Sequence, residues 1–319
     1  MRTVVIAIGG NAITQSGQKG TIAEQHQNIV HCCNIIADLV EAGDRIILTH
    51  GNGPQVGSIV LQNDIAKHTV PENPLDICGA QTQGSLGYMI SQTLMNLLSR
   101  RRLDKKVATV LTQVVVDEKD SAFQNPTKFI GPFFNEEEAE MLGREKGFCM
   151  RKDSDRGYRR VVASPMPLEL VERDAIEALL EKNFLLITVG GGGIPVIRTK
   201  DGDLQGVEAV IDKDFASAMV ACAVHADILV ILTGVAKVAL GYGTPDQKEL
   251  DSMTVSQCRE YLCRGEFPEG SMGPKIRAAM QFVEAGGGQA LITSIEHMQS
   301  ALEGQDGTRI LPEEQTAKV

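Results

Sequence analysis

Aromatic residues are scarce in this 319-residue chain, at 4% of the total, and tryptophan is absent. Proteins that bind single strands of nucleic acid stack the bases on aromatic side chains, so this class of protein is disfavoured. Excess positive charge is lacking as well, because 31 Lys and Arg face 41 Asp and Glu, for a formal net charge of −10. Non-specific binding to nucleic-acid phosphates needs a basic surface. We therefore expect no nucleic-acid partner, and an anionic small molecule would need a site that concentrates positive charge locally.

Long apolar segments and paired cysteines are also missing. A membrane-spanning helix needs roughly 18 apolar residues, whereas the longest candidate, ADILVIL at residues 226–232, has the length of a buried strand. The apolar run near the N-terminus is too short for a secretory signal. The seven cysteines are odd in number and include no Cys-x-x-Cys pair, which argues against a disulfide framework and a zinc site. We expect a cytoplasmic protein without a membrane partner.

Short apolar, β-branched segments alternate with stretches of helical periodicity. Strands are predicted at residues 3–8, 45–49, 107–116, 184–189, 228–232 and 290–293, with helices between most of them. Continuous apolar strands bounded by glycine are typical of a parallel sheet that is covered on both faces. The pattern predicts an α/β fold, a three-layer α/β/α sandwich with an open, mainly parallel sheet of about eight strands.

The alternation is interrupted at residues 117–165, which we call the lid segment. The segment is polar and contains Pro126, Pro132 and two basic pairs. A long excursion of this kind is typical of a functional insertion. We predict a small subdomain that protrudes from a single domain spanning residues 1–319. The last dozen residues are polar, and we expect them to be frayed.

Glycine-containing turns follow four of the predicted strands. In an open parallel sheet, ligands bind at the carboxyl ends of the strands. Glycine there lets backbone N–H groups approach an anion, and the N-terminus of the next helix adds partial positive charge. One such turn is weak evidence, because glycine also serves tight turns, but four at one edge favour a binding site. The turns are Gly9-Gly10-Asn11, Gly51-Asn52-Gly53, the glycines at residues 190–193, and Thr233-Gly234.

Two nucleotide-binding signatures are absent or incomplete. The chain has no G-x-x-x-x-G-K-[ST] sequence, so it is not a P-loop enzyme. The sequence GNGPQVG at residues 51–57 is one residue too long for a dinucleotide fingerprint, and it does not follow the first strand. We give the dinucleotide interpretation little weight.

Three lysines occur in unusual positions. Lys128 lies in the lid segment, Lys213 lies between Asp212 and Asp214 at a strand-to-helix junction, and Lys275 lies at a helix start. A lysine at a helix start opposes the helix dipole, which a nearby anion would compensate. Lysines are nearly always exposed, so each one alone is more simply interpreted as a solvated surface side chain. Their spacing does not establish that they converge.

A series of motifs, in order and over nearly the whole chain, resembles the carbamate kinase branch of the amino acid kinase family. The motifs are AIGGNA at 7–12, THGNGPQVG at 49–57, NPTKFIGPFF at 125–134, GYRRVVASP at 157–165, TVGGGGIPVI at 188–197, AVIDKDFASA at 209–218 and GSMGPKIRAA at 270–279. The resemblance implies reversible phosphoryl transfer between ATP and carbamate, giving ADP and carbamoyl phosphate, with Mg²⁺ held mainly by the phosphates. It also implies a homodimer whose subunits each carry a protruding subdomain, which would match the lid segment.

The same resemblance assigns roles to residues of these motifs. Lys128, Lys213 and Lys275 would surround the transferring phosphoryl group, and Asp212 would orient the lysines. The carbamoyl and phosphoryl groups would be held by Gly9, Gly10, Asn11, Gly51, Asn52, Gly191 and Gly192. The nucleotide would be bordered by Thr233, Gly234, Val235, Lys237, Tyr242 and Met272. No protein ligand for a metal is implied.

One loop departs from the family pattern, and some questions stay open. Residues 233–237, TGVAK, replace the acidic loop that many members have, which bears on nucleotide affinity more than on the chemistry. A kinase for another small acid, or a nucleotide-binding protein without turnover, are the alternatives. Carbamoyl phosphate is a mixed anhydride, so we expect the reaction to run toward ATP in fermentative nitrogen catabolism. Arginine, agmatine and purine breakdown all stay open as its source.

Overall fold

The computed structural model describes residues 1–15, 17–153 and 157–313, and the side chain of Asn11 lies outside this description. The strands in these ranges are β1 (Thr3–Ile8), β2 (Arg45–His50), β3 (Val107–Thr109), β4 (Gln113–Val116), β5 (Lys128–Phe134), β6 (Met150–Lys152), β7 (Tyr158–Val162), β8 (Pro167–Leu170), β9 (Leu185–Ile187), β10 (Ile194–Arg198), β11 (Leu204–Gly206), β12 (Ile228–Leu232), β13 (Val238–Leu240), β14 (Lys248–Leu250), β15 (Ser252–Thr254), β16 (Gln289–Thr293) and β17 (Thr308–Leu311). The helices are α1 (Gly10–Ile13), α2 (Ile22–Glu41), α3 (Gly53–Ala66), α4 (Leu75–Arg100), α5 (Glu136–Lys146), α6 (Arg173–Glu181), α7 (Lys213–Ala223), α8 (Val255–Cys263), α9 (Met272–Glu284) and α10 (Met298–Leu302).

A sheet of eight strands forms the centre of the described structure, in the order β15-β17-β16-β12-β1-β2-β9-β3. Neighbouring strands from β16 to β3 run parallel, whereas β17 and β15 run parallel to each other and antiparallel to β16. In the middle, Ala7 of β1 pairs with Thr49 on one side and with Ile231 on the other. The prediction of a mainly parallel sheet of eight strands is confirmed.

Both faces of this sheet are covered, because successive side chains of a strand point to opposite sides. In β1, Val5 and Ala7 belong to a core shared with α7, α8 and α9. Val4, Ile6 and Ile8 belong to a second core shared with α2, α4 and α10. The central strand is therefore buried along its whole length, and the predicted three-layer α/β/α sandwich is confirmed.

The prediction of one continuous strand at residues 107–116 is wrong. The segment divides into β3 in the main sheet and β4 in a second sheet, whose order is β11-β10-β4-β8. The division falls at Thr112, whose N–H donates to Gln83 Oε1 at 2.9 Å and whose carbonyl accepts from Gln83 Nε2 at 3.1 Å. Because a side chain of α4 satisfies both backbone groups, the chain can leave the main sheet at this residue.

The end of the chain also differs from expectation. Thr308–Leu311 is not frayed but forms β17, which pairs with β16 and β15. Residues 314–319 lie outside the described residues. No helix in the described ranges combines the length and the apolar character that a bilayer-spanning segment requires.

The lid segment forms an antiparallel sheet of its own, in the order β5-β7-β6, together with α5. Strand β5 lies against α3 so closely that a Cβ on Gly57 would lie 1.9 Å from the Cα of Gly131. Lys146, the last residue of α5, forms an ion pair with the buried carboxylate of Asp64 on α3. These contacts join the lid segment to the helix that follows β2.

Candidate active site

A cleft of about 1430 Å³ opens at the carboxyl ends of the central strands. The turns after β1, β2 and β12 line it, because these three strands are neighbours in the sheet. The glycine turn after β9, next to β2, contributes Gly191. The structure thus brings the four predicted turns to one edge of the sheet.

The turns at this edge are packed closely enough to require glycine at particular positions. Gly191 has a φ of +69°, and a Cβ there would lie 2.2 Å from Nδ2 of Asn52. That amide in turn donates to Thr82 Oγ1 at 2.8 Å. A larger residue at position 191 would therefore displace Asn52 from the cleft wall.

The three lysines that the sequence singled out converge on two carboxylates. Lys128 Nζ lies 2.6 Å from Asp212 Oδ2. Lys275 Nζ lies 3.0 Å from Asp214 Oδ2, and Lys213 Nζ is bonded to the other oxygen of the same carboxylate. Among the described residues, Asp212 therefore pairs with Lys128, and Asp214 joins the other two lysines.

The start of α7 explains how adjacent residues reach this arrangement. Asp212 is the N-cap of the helix, and its Oδ1 accepts a hydrogen bond from the backbone N–H of Asp214 at 2.9 Å. The other oxygen of Asp212 is left for Lys128, which arrives from β5. Lys213 and Asp214 occupy the first turn of the helix, which faces the cleft.

Burial and ion pairing act in opposite directions on the charge states of this cluster. Lys213 is 8% exposed and Asp214 is 2% exposed. Burial lowers the pKa of Lys213, against the opposing effect of Asp214. Burial alone would raise the pKa of Asp214, but Lys213 and Lys275 hold it well below its ordinary value. The pKa of Lys275 is raised, since Asp214 outweighs the opposing effect of burial.

The second carboxylate behaves in the same way. Burial would raise the pKa of Asp212, yet the charge of Lys128 brings it below the ordinary value. Both carboxylates are therefore ionised near neutral pH. The two lysines that share Asp214 therefore differ, since the pKa of Lys213 is lowered and that of Lys275 is raised.

His50, at the end of β2, was not singled out by the sequence analysis although it lies in the THGNGPQVG motif. Its side chain is buried, and burial lowers its pKa to about 4. Its Nδ1 lies 3.1 Å from the carbonyl oxygen of Gly51, and a Cβ on Gly190 would lie 2.4 Å from its Nε2. A neutral imidazole thus packs against two of the glycine turns, at Gly51 and at Gly190.

Most of the residues predicted for the site line the cleft. They are Lys128, Asp212, Lys213, Lys275, Gly9, Gly10, Gly51, Asn52, Gly191, Thr233 and Gly234. The described residues of the lining do not include Gly192, Val235, Lys237, Tyr242 or Met272. Lys237 pairs with Asp251 at 2.6 Å, and a Cβ on Gly192 would lie 2.2 Å from the carbonyl oxygen of Ile211. The side chain of Asn11 lies outside the described residues.

The structure also adds residues that the sequence analysis did not assign. Asp214 is the first, and its signal was the Asp-Lys-Asp sequence around Lys213. Phe129, Phe133 and Arg159 of the lid segment line the same cleft. Only the three-dimensional pairing of β5 with β7 brings Arg159 beside the strand that carries Lys128.

The chain is similar to known proteins over almost its whole length. The family model described as "Amino acid kinase family" matches residues 2–294. A carbamate kinase of Thermococcus kodakarensis is 50% identical over 316 residues, which cover 98% of this chain and 100% of that protein. Two solved structures of carbamate kinase from Giardia lamblia, one bound to citric acid and one to AMP-PNP, have TM-scores of 0.93 and 0.89 at 42% and 43% identity. Each of the two matches covers 98% of this chain and 99% of the Giardia lamblia chain.

Proposed function

The chain belongs to the amino acid kinase family, and from that premise we propose that it is a carbamate kinase, a phosphotransferase that interconverts ATP and carbamate with ADP and carbamoyl phosphate. The near-full-length match to named carbamate kinases supports this function. The structural observation that best supports phosphoryl transfer is the cluster of Lys128, Lys213 and Lys275 in the cleft.

The proposed reaction is a direct phosphoryl transfer. A carbamate oxygen forms a bond to the γ-phosphorus of ATP, the bond from that phosphorus to the bridging oxygen breaks, and ADP leaves. Carbamate is already an oxyanion, so this step needs no general base. Positioning and charge stabilisation dominate such transfers, in which negative charge spreads over the equatorial oxygens. Three ammonium groups at one wall of a cleft supply that stabilisation.

The glycine turns are proposed to hold the acceptor side of the reaction. Gly9 and Gly10 follow β1, Gly51 and Asn52 follow β2, and both turns open onto the cleft. A Cβ on Gly51 would lie 3.3 Å from the backbone nitrogen of Gly10, so the two turns are in close contact. Adjacent backbone N–H groups of this kind suit the oxygens of carbamate and of the transferring phosphoryl group.

The nucleotide is proposed to lie on the opposite side of the lysines. Thr233 and Gly234, after β12, line the cleft together with Gly270 and Ser271, which precede α9. Lys275 lies in the first turn of α9 and connects this side with the buried Asp214. The solved carbamate kinase with bound AMP-PNP supports a nucleotide site in this fold.

Mg²⁺ is proposed to accompany the nucleotide and to be held mainly by phosphate oxygens. In the cleft, Asp212 is paired with Lys128, and Asp214 is paired with Lys213 and Lys275. These carboxylates are therefore arranged for ammonium groups, and a hydrated Mg²⁺ bound through phosphates fits this donor set. When bound, the ion neutralises part of the charge on the phosphates.

The lid segment is proposed to cover the cleft as a protruding subdomain of a single domain. Lys128, Phe129, Pro132 and Phe133 reach the cleft from β5. Exclusion of water by such a cover strengthens the interaction of the lysines with the reacting oxygens. The contact between Gly57 and Gly131 is one of the places where the lid segment meets the rest of the domain.

A homodimer is proposed as well. Ile77, Tyr88 and Met95 lie on one face of α4 and are 43%, 61% and 49% exposed. Exposed apolar side chains at helical spacing are typical of an interface. Strand β3, which packs against α4, is an edge strand of the main sheet. The proposed interface therefore lies near this edge of the sheet. Sedimentation velocity of the purified protein tests this assembly.

We further propose that the enzyme works in the cytoplasm and runs toward ATP in fermentative nitrogen catabolism, such as arginine breakdown. The seven free cysteines support a reducing compartment. The direction rests on chemistry, because carbamoyl phosphate is a mixed anhydride and transfers its phosphoryl group readily to ADP.

The test of the function is ATP formation from ADP, Mg²⁺ and carbamoyl phosphate by the purified protein. Lys213→Ala is expected to lower turnover about 10²-fold or more, the loss typical of one preorganised transition-state donor. Lys200→Ala, at an exposed lysine in the turn between β10 and β11, is the matched control and is expected to keep full turnover. A folded wild-type protein that binds ADP but forms no ATP would contradict the function, and equal turnover of both variants would contradict the site.

A further inference from the structure

The strand that carries Lys128 contains a bulge. In the pairing of β5 with β7, Ile130 faces Arg160 and the next pair is Phe134 with Tyr158. Residues 131–133 of β5 therefore face the single residue Arg159 of β7. A bulge bends its strand and redirects side chains next to it. Here the bulged residues line the cleft.

Arg159 holds this bulge together. Its Nε donates a hydrogen bond to the carbonyl oxygen of Gly131 at 3.0 Å. Its guanidinium carbon lies 5.1 Å from the ring centre of Phe133 and 5.9 Å from that of Phe129. Its Nη1 lies 3.1 Å from Asp153 Oδ2. One side chain thus contacts residues on both ends of the bulge as well as a carboxylate that fixes its own orientation.

These contacts depend on the shape of a guanidinium group. The planar fork donates hydrogen bonds in two directions while its face contacts aromatic rings. The side chain is 13% exposed, so these interactions are little weakened by solvent. A lysine at this position would keep the charge but could not make the same set of contacts.

The bulge lies directly beside the residue whose position matters for the proposed reaction. Lys128 precedes Phe129 at the start of β5, where it pairs with Val162 of β7. Its Nζ lies 2.6 Å from Asp212 across the cleft, at the far end of a flexible side chain. The contacts of Phe129 and Gly131 with Arg159 therefore limit how far the backbone of Lys128 can move.

We infer that Arg159 is a positioning residue for phosphoryl transfer, which acts by fixing the bulge of β5 and through it the ammonium group of Lys128. The inference rests on the proposed function. A displacement of about 1 Å at a reacting group can cost 10²-fold in rate. Loss of Arg159 should therefore act on turnover through Lys128 and leave nucleotide binding in place.

The test measures turnover and the KM for ADP in five variants. Arg159→Met is expected to lower kcat about 10- to 100-fold with the KM for ADP within twofold of wild type. Arg159→Lys should remain similarly slow, because charge alone does not hold the bulge. Arg151→Met, at an exposed arginine on β6, is the matched control for loss of a basic residue from the lid segment and should leave kcat unchanged.

The remaining two variants are Lys128→Ala alone and Lys128→Ala combined with Arg159→Met. If Arg159 acts through Lys128, the double variant should be within about threefold of Lys128→Ala alone, since interacting residues are not additive. Multiplied effects in the double variant, full activity of Arg159→Lys, or equal activity of Arg159→Met and Arg151→Met would each overturn the inference. If Arg159→Met does not fold, Arg159→Lys carries the comparison. A wild-type protein that forms no ATP would instead refute the proposed function, and the inference with it.

Discussion

Asp214→Asn tests the part of the cleft on which both stability and the proposed chemistry depend. The carboxylate is 2% exposed and is bonded by two ammonium groups, those of Lys213 and Lys275. Asparagine has nearly the same shape, so the substitution removes charge without creating a cavity. Its amide would leave Lys213 and Lys275 beside each other without the carboxylate that pairs with both of them.

The size of the effect follows from the geometry. The separation of Lys275 and Asp214 is 3.0 Å, and Coulomb's law at an effective dielectric constant of about 20 gives about 5.5 kcal/mol of gross attraction. The desolvation of both groups offsets part of this attraction. Removal of one partner from a buried ion pair costs about 3–5 kcal/mol, and we expect a loss in that range. Lys213 should also lose its proton at lower pH, because burial and Lys275 then act on its pKa unopposed by Asp214.

Two measurements on the same samples check this prediction. Urea unfolding should give the loss of several kcal/mol for Asp214→Asn, and turnover should fall at least about 10²-fold. Asp212→Asn is the control, because asparagine is an equally good N-cap and the Asp212–Lys128 pair is 20% and 28% exposed. The control should lose roughly 1 kcal/mol. If Asp214→Asn loses less free energy of unfolding than this control and keeps turnover close to wild type, the argument that Asp214 holds the two lysines is refuted.

Two further predictions concern residues around the cleft. The folded protein keeps His50 neutral down to a pKa of about 4, whereas the unfolded chain protonates near 6.5, so the free energy of unfolding should fall by about 3 kcal/mol as the pH drops through this window. Urea titrations from pH 7 to pH 4 should show that His50→Gln loses this dependence while His68→Gln, at an exposed site, retains it. Gly57→Ala places a Cβ 1.9 Å from Gly131 Cα and should cost about 1–3 kcal/mol and lower turnover, because the lid segment must move away from α3. Gly79→Ala, on α4, is the control, because its new Cβ meets no atom within 4 Å. It should stabilise the protein by up to about 1 kcal/mol and so raise the melting temperature. Equal melting temperatures for the two alanine variants would contradict the close contact between Gly57 and Gly131.

The sequence predicted the main sheet well because its strands are continuous apolar runs that end in glycine. Such runs require burial on both faces, and this requirement leaves few architectures. The strand at residues 107–116 was mispredicted for a related reason. Its apolar run is continuous, whereas the division at Thr112 is set by Gln83, a residue of α4 that lies 29 positions earlier in the chain. Local patterns carry no information on such a partner.

The site was predictable at the level of elements and less so at the level of partners. Lys213 and its flanking acids were visible as a tripeptide, and the family resemblance implied that Asp212 orients the lysines. In the structure Asp212 serves as the N-cap of α7 and pairs with Lys128. The first turn of the helix carries Asp214 to Lys213 and Lys275 instead. Which lysine each carboxylate pairs with depends on the N-cap hydrogen bond, because the backbone N–H of Asp214 occupies one oxygen of Asp212. Sequence spacing alone does not reveal this hydrogen bond.

The balance of charge in the cleft also bears on rate. Three lysines face two carboxylates, so the cluster carries a net charge of about +1 within a chain whose formal net charge is −10. Three unpaired lysines would bind the phosphates of ADP or ATP tightly in the ground state, and uniform binding of this kind does not raise kcat. The carboxylates hold the ammonium groups in place before the substrate arrives, so their orientation costs little during the reaction. The pairing of lysines with Asp212 and Asp214 therefore favours the transition state over the bound nucleotide, and loss of either carboxylate should lower kcat without weakening nucleotide binding.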